Sequence, residues 1–493
     1  MISDRTKLFP SMNNQIPPIP ERKINDSEKQ SIELFNIGKN MNEIANIHNP
    51  KLSISTIWKH IEKGVSLHLI PADKFLSNEG YVEIESAIKE YIKGNYILER
   101  LKPIYKSLKS KYRYEQIRYA IYNFAKKVEY SDGTVKLHPF IDGWLQSRGA
   151  YYEKDSDTVQ DGTRLNENGV MWYLGSIFPK SFAESYSIYY DLLSNKKCNE
   201  KLLNSKSIKI LDIGGGTGGN VAGVILAIIN KLPNIQEIAI DAYDPSVKSR
   251  DAYTDLISYI NKILSCYIHI NLQCDHLMLQ SEYDDPQNGS YTFNGFSKYL
   301  AESKKSYDLI MSFKMINELI NNGGFGNMKP YYIFLESLCP LLNESGTLIL
   351  EDVSGDEQAK KYYCKMLNQE TKDYLGSQQG YKVLSPIPCA IKQGNCKSSS
   401  CFMQQQVTAI WECNNEGKNI TSKFAYKIIS HASLSEEITP KEFAYRYHKV
   451  KKKLGAKSVN TTDHWCYPGN IDMDLEEKDA FKIGDYGRED NNN

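Results

Sequence analysis

The chain carries no excess of charge: 60 Lys and Arg balance 60 Asp and Glu over 493 residues. That removes a global electrostatic case for a polyanionic partner and leaves only local patches to consider. No apolar run is long enough to span a bilayer, so no membrane partner is expected. There is no Gly-Lys-Ser/Thr, which excludes a P-loop. The start, Met1-Ile2-Ser3-Asp4-Arg5, reads as neither a secretory signal nor an Arg- and Ser-rich presequence. A cytoplasmic location is therefore expected, with the mitochondrion as the alternative. Cysteine is sparse, at ten residues, and uneven, with three between Cys389 and Cys401. A disulfide scaffold does not look like this; the pattern points to a reducing compartment and a metal.

What the chain does have is a short apolar run, Ile208 to Ile213, that breaks into Gly214-Gly215-Gly216-Thr217-Gly218-Gly219 and resumes as an apolar segment of helical length, Val221 to Ile229. Strand, glycine turn and helix in this order open doubly wound α/β domains. The glycines let a backbone approach a ligand, and the helix N-terminus offers unpaired N–H groups. Ile238 to Asp244 reads as a second strand ending in acid, Tyr307 to Phe313 as a later strand, and Gly346 to Asp352 as another.

The series Leu-Asp-Ile-Gly-Gly-Gly-Thr-Gly, a strand-end acid, Tyr-Asp-Leu-Ile and Gly-Thr-Leu-Ile-Leu-Glu-Asp resembles a class I S-adenosylmethionine-dependent methyltransferase. The resemblance implies a Rossmann-like core and S-adenosylmethionine as cofactor, with Asp212, Gly214, Gly216 and Gly218 along its methionine end. Asp244 is the expected ribose ligand because it ends the strand that Pro245 breaks; Asp241 is the runner-up. Asp275 stands where a third strand would end, either against the adenine amine or as a surface acid. After the fourth strand, Ser312-Phe313-Lys314-Met315-Ile316-Asn317-Glu318-Leu319 occupies the position that faces the methyl group in such folds. It lacks the Asn/Asp-Pro-Pro-aromatic tetrapeptide of base N-methylation and a Pro-Cys nucleophile. Lys314, Asn317 and Glu318 remain as polar catalytic candidates, and the motif names no acceptor.

Residues 1–26 read as a flexible, proline-bearing lead-in. Residues 27–128 read as an all-α module in which Ser27 opens a capping box, Met41 to Ile47 forms a second helix, and Ser53 to Lys63 takes the place of a recognition helix. The block resembles the helix-turn-helix module at the C-terminal end of some RecQ-type helicases. That implies contact with DNA, or docking on a protein. Ser53, Ser55, Thr56, Lys59 and His60 are the phosphate-contact candidates, and a solvated helix face is the equal alternative. Residues 129–197 read as a linker with leading helices, 198–385 as the methyltransferase core, 386–471 as a cysteine-bearing extension, and 472–493 as a disordered tail.

In the extension, Cys389, Cys396 and Cys401 follow at spacings of seven and five, which suits a cluster with a distant fourth ligand better than a zinc ribbon. Phe178 to Ala183, Leu211 to Gly219, Ser312 to Leu319, Pro388-Cys389…Cys396…Ser400-Cys401 and Lys423 to Tyr426 recur in an order that resembles the mitochondrial small-ribosomal-subunit-associated methyltransferase-like family and its bacterial relatives. This resemblance implies a partner in RNA or a ribonucleoprotein, a role in ribosome assembly, and a four-cysteine site holding a 4Fe-4S cluster, with zinc as the alternative. Its ligands would be Cys389, Cys396, Cys401 and Cys466, with Cys413 the alternative fourth. The basic run Arg446, His448, Lys449, Lys451, Lys452 and Lys453 is either an RNA-backbone contact or solvated surface. The expected function is methylation of RNA or a ribonucleoprotein. The alternatives are a non-catalytic assembly factor, and a methyltransferase of small molecules or peptides.

Overall fold

In the computed structural model of the protein, the described residues are 24–131, 133–153, 165–194, 202–264, 266–279, 284–285, 287–288, 292–321, 328–353, 363–378, 380–385, 404–413, 416–433, 459–460 and 465–466. No helix among them is long and apolar enough to cross a membrane.

The N-terminal module packs α1 (Asp26–Asn36), α2 (Met41–Ile47), α3 (Ile54–Ser66), α4 (Ala72–Phe75), α5 (Asn78–Asn95), α6 (Lys102–Ser107) and α7 (Tyr114–Ala125) around one core. Capping chemistry sets the first boundaries. Asn25 with Glu28 and Asn40 with Glu43 form reciprocal capping boxes, and the Ser53 hydroxyl accepts from the Thr56 N–H at the start of α3. The expected box opening at Ser27 therefore starts two residues earlier, at Asn25. On α3, Ile57, Ile61 and Val65 recur every fourth residue and are buried.

A ten-stranded sheet follows. Its centre is β3 (Ser207–Ile213), β4 (Glu237–Asp244), β5 (His269–His276), β6 (Tyr307–Phe313) and β7 (Leu342–Val353), all parallel, in the spatial order β5-β4-β3-β6-β7. The order reverses between β3 and β6, the point where doubly wound sheets open a crevice at their C-terminal strand ends. With helices on both faces, this is a Rossmann-like, doubly wound core. One face carries α10 (Phe178–Ser194) and the helix Gly219–Lys231; the other carries the helices Pro330–Leu338 and Tyr363–Ser377.

The sheet does not end at residue 385. Strand β10 (Glu416–His431) runs antiparallel to β7, pairing Phe424 with Val353 through Ser430 with Thr347, and also pairs with β8 (Tyr381–Ser385) and β9 (Gln404–Cys413). The cysteine-bearing extension thus supplies core strands. The physical reason is that β7, a buried strand, would otherwise present an unpaired edge. Likewise the segment read as a linker holds a hairpin, β1 (Glu129–Ser131) and β2 (Thr134–Lys136), that joins the sheet when β2 pairs in parallel with β9. It also holds two helices, α8 (Pro139–Ser147) and α9 (Glu167–Ser176), that cover the core.

The helical module is fastened to the core by specific contacts. Tyr122 and Tyr267 stack with centroids 4.5 Å apart, Asn230 donates to the Lys126 carbonyl at 2.6 Å, and the Tyr259 hydroxyl accepts from the Leu98 N–H at 3.3 Å. The Asp255 carboxylate, on the helix Val247–Leu264, accepts from the Trp144 indole at 2.8 Å and from Arg148 through a fork of 2.6 to 2.8 Å bonds. Asp255→Ala leaves the guanidinium and indole without that acceptor, and is expected to cost about 2 to 4 kcal/mol. A lowered thermal midpoint checks this; an unchanged one would show the contact to be dispensable.

Candidate cofactor site

The glycine turn leaves β3 with Gly214, Gly216 and Gly218 at φ of 74°, 54° and 88°, the left-handed region that side chains resist. The Gly214 and Gly215 N–H groups donate to the Tyr243 carbonyl at 2.8 and 3.2 Å, tying the turn to the end of β4. Asp244 completes the link. One of its oxygens accepts from the Gly216 N–H at 2.9 Å and the other from the Ser246 N–H at 2.8 Å. Burial pushes this carboxyl up to about 6, against the lowering effect of those two N–H groups and of Arg250.

A cleft opens beside the turn, lined by Ile213, Gly214, Gly216, Tyr243, Asp244 and Pro245 on one side and by Lys314, Met315 and Glu318 on the other. The residues fit S-adenosylmethionine on three counts. A Cβ at Gly216 would meet only Tyr173, at 3.9 Å, so the turn's open face can receive a ligand. Asp244 ends its strand with lone pairs for ribose hydroxyls. Leu277, Met278 and Leu279 give an apolar wall of the kind a flat base needs.

Of the cofactor residues read from sequence, Gly214, Gly216 and Asp244 line the cleft, and Gly218 caps the helix Gly219–Lys231 with its left-handed backbone. Asp212 is not in the lining. It lies fully buried beneath the turn, where it accepts from the Tyr253 hydroxyl at 3.0 Å, and burial pushes it up to about 7. Asp275 does not line the cleft either; it is half-exposed on β5 and accepts from Gln273 at 2.7 Å. Asp241, the runner-up for the ribose, is held by Tyr307 at 2.7 Å and Lys305 at 2.8 Å. Sequence reasoning missed Tyr173 and the Leu277 to Leu279 wall, because neither sits in a motif and only the fold brings them to the cleft.

At the acceptor end, Lys314 follows β6 with φ of 55°, a strained backbone for a side-chain-bearing residue. Its ammonium pairs with Glu184, a fully buried residue of α10, and its N–H donates to the Glu351 carbonyl at 2.9 Å. Burial alone would lower the Lys314 pKa, but Glu184 and Glu351 outweigh it and hold the ammonium charged. Neither carboxyl oxygen of Glu351 has a hydrogen bond, and burial together with Glu184 pushes this acid well above the usual carboxylate range. Asn317 is tied through its backbone, its N–H donating to Asp352 at 2.9 Å, while Glu318 faces the cleft.

Cys389, Cys396 and Cys401 lie outside the described residues, as does the basic run 446–453. Cys466 is described only as backbone, pairing with Val459 in a short two-stranded ladder. Among the described residues no group of three or more His, Cys, Asp and Glu is placed to hold a metal.

Residues 27–121 match the family model of a helix-turn-helix domain. No curated protein matches the chain. Among solved structures, precorrin-6y C5,15-methyltransferase from Geobacter metallireducens GS-15 is 13% identical over 50% of this chain and 87% of its own, with a TM-score of 0.25. TrmN from Thermus thermophilus is 12% identical over 52% and 53%, with a TM-score of 0.24. The plantazolicin methyltransferase BpumL in complex with SAH is 14% identical over 45% and 77%, with a TM-score of 0.25. Likeness this slight carries no argument, and the cleft's own geometry has to bear the reading.

The Asp244 carboxyl gives a pH test. A ribose ligand needs it ionised, so protonation of the free site competes with binding. S-adenosylhomocysteine affinity should be level above about pH 7 and weaken as pH falls through about 6, by up to roughly tenfold per unit. Calorimetry between pH 5 and pH 8 reads this; affinity that rises on acidification would remove Asp244 from the site.

Proposed function

We propose that the protein is an S-adenosylmethionine-dependent methyltransferase acting on RNA or a ribonucleoprotein. The observation that carries the cofactor half is the buried Asp244 carboxylate joined to the Gly216 N–H at the strand-order reversal, beside an open cleft. When bound, the cofactor supplies an electrophilic sulfonium methyl. The chain's own part is to orient and to exclude water: the turn receives the ligand's polar end, the Leu277 to Leu279 segment walls its flat end, and Tyr173, Lys314 and Glu318 close the other side. Rate enhancement in such a site comes mostly from holding the acceptor in line. Lys314, charged and paired with Glu184, serves as a fixed cation rather than a base. The RNA half rests on the order of sequence motifs set out above.

A second reading, a non-catalytic factor that binds the cofactor, is favoured by one observation. The residue following β6 is committed to an internal ion pair, and no amine-holding tetrapeptide stands there.

Calorimetric titration of S-adenosylmethionine and S-adenosylhomocysteine into wild type and Asp244→Ala tests the first reading. Binding that falls at least tenfold in the variant is expected. No binding to the wild type would sink the cofactor site and with it the enzyme. The four-cysteine site is a separate proposal. Anaerobically purified protein should contain iron and sulfide that the double substitution Cys389→Ser, Cys401→Ser removes, whereas one zinc and no sulfide would leave a metal site without a cluster.

A further inference from the structure

A helix-turn-helix unit that reads a duplex does so with exposed polar residues on its recognition helix. In this chain several polar residues of α3 are engaged by partners inside the module. Glu62 is buried and takes both Arg118 nitrogens, at 2.8 and 2.5 Å. Lys63 is paired with Glu28 at 2.8 Å. His60 is half-buried and shares the Ser31 hydroxyl with His48, each at 2.8 Å. The Ser53 and Thr56 hydroxyls bond each other at 2.8 Å. Of the sequence-derived phosphate candidates, only Ser55 and Lys59 remain exposed without such a bond among the described residues.

A denser group of exposed cations lies elsewhere in the same module. Between residues 100 and 113 the chain places six, Arg100, Lys102, Lys106, Lys109, Lys111 and Arg113, and no acid. All six are exposed, and among the described residues only Lys111 is paired with a carboxylate, Glu83 at 2.6 Å. In a chain whose charges balance overall, this is a concentration of one sign. Lys102 and Lys106 stand four apart on α6 and so share a face. The turn that follows then holds Lys109 and Ser110 at φ of 51° and 58°, where glycine would cost less. That turn is closed by its own backbone, with Ser110 N–H donating to the Tyr105 carbonyl at 3.0 Å and Lys109 N–H to the Lys106 carbonyl at 2.9 Å. A lysine is thereby fixed at the tip of a sharp bend. Beside it, Tyr105 and Tyr114 are half-buried and stack with centroids 4.7 Å apart, an aromatic surface within one helical turn of Lys102.

We infer that the α6 surface, not the recognition helix, is this module's docking site for a single-stranded polynucleotide. Lysines 102, 106 and 109 track the phosphates, and the tyrosine pair offers a face for a base. Phosphate neutralisation by clustered Lys and Arg, with aromatic rings alongside, is the chemistry of sequence-tolerant single-strand binding. A lipid surface fits less well, because the largest aliphatic side chains of this stretch that an insertion would use, Ile104 and Leu108, are buried. The inference extends the RNA half of the proposed function and is independent of the cofactor half.

The test uses the full chain and fluorescence anisotropy with labelled 20-mers of U and of dT between 50 and 300 mM KCl. Wild type should bind at least one of them, with log affinity falling linearly in log salt. The triple reversal Lys102→Glu, Lys106→Glu, Lys109→Glu should weaken that binding by at least thirtyfold and reduce the salt slope by about 2, from roughly 0.7 per lost single-strand phosphate contact. Ser55→Glu with Lys59→Glu on α3 should stay within twofold of wild type. Unchanged calorimetric binding of S-adenosylhomocysteine in the triple variant shows it folded, and keeps a failure here separate from a failure of the cofactor site. The inference is overturned if the triple variant binds like wild type, if the α3 variant carries the loss, or if the wild type binds anionic vesicles of phosphatidylserine but neither oligonucleotide.

Discussion

Everything at the cleft depends on a carboxylate that has been taken out of water. Asp244 is 8% exposed, and it supplies the acceptor that holds the Gly216 N–H of the turn. Burying a carboxyl is unfavourable unless hydrogen bonds compensate, and here two backbone N–H groups and the nearby Arg250 do so in part. The residual penalty appears as a raised pKa. A group so poised favours any ligand that brings hydroxyl donors, because such donors complete what the protein leaves incomplete. The glycines matter for the same reason: their left-handed backbones aim the turn at Asp244 rather than merely making it flexible.

The opposite wall of the cleft is organised by charge rather than by backbone. Lys314 lies between Glu184 on α10 and Glu351 on β7, so three elements distant in sequence meet at one cation. This joins the leading helix to the strand ends. Under the proposed function, positioning would then be the chain's main means of promoting methyl transfer.

How much was legible in the sequence follows from which forces are local. The β3 strand, its glycine turn and the β4 acid were readable, because strand composition, left-handed backbone and strand-end chemistry are written within a few residues of each other. The Asp212 and Asp275 roles were not, because whether a strand-end acid faces the ligand or lies beneath the turn depends on side-chain direction and on the packing of Tyr253 and Gln273. The reach of the sheet past residue 385 was also illegible. Nothing local says that β10 will cover the exposed edge of β7. The helical module shows the converse. Its helices were plain from capping residues and apolar spacing, while the engagement of Glu62, Lys63 and His60 required partners from α1 and α7 to be seen.

The placement of β10 has a consequence for how the molecule is made. Residues 424–430 pair with residues 347–353, so the central sheet is completed by contacts across about 71 to 83 positions of chain. Contacts of such sequence separation form late and slow folding. During synthesis the strands β3 to β7 emerge first and wait with a hydrophobic edge uncovered until Phe424, Ile428 and Ile429 arrive. The length of chain between β7 and β10 sets how long that interval lasts.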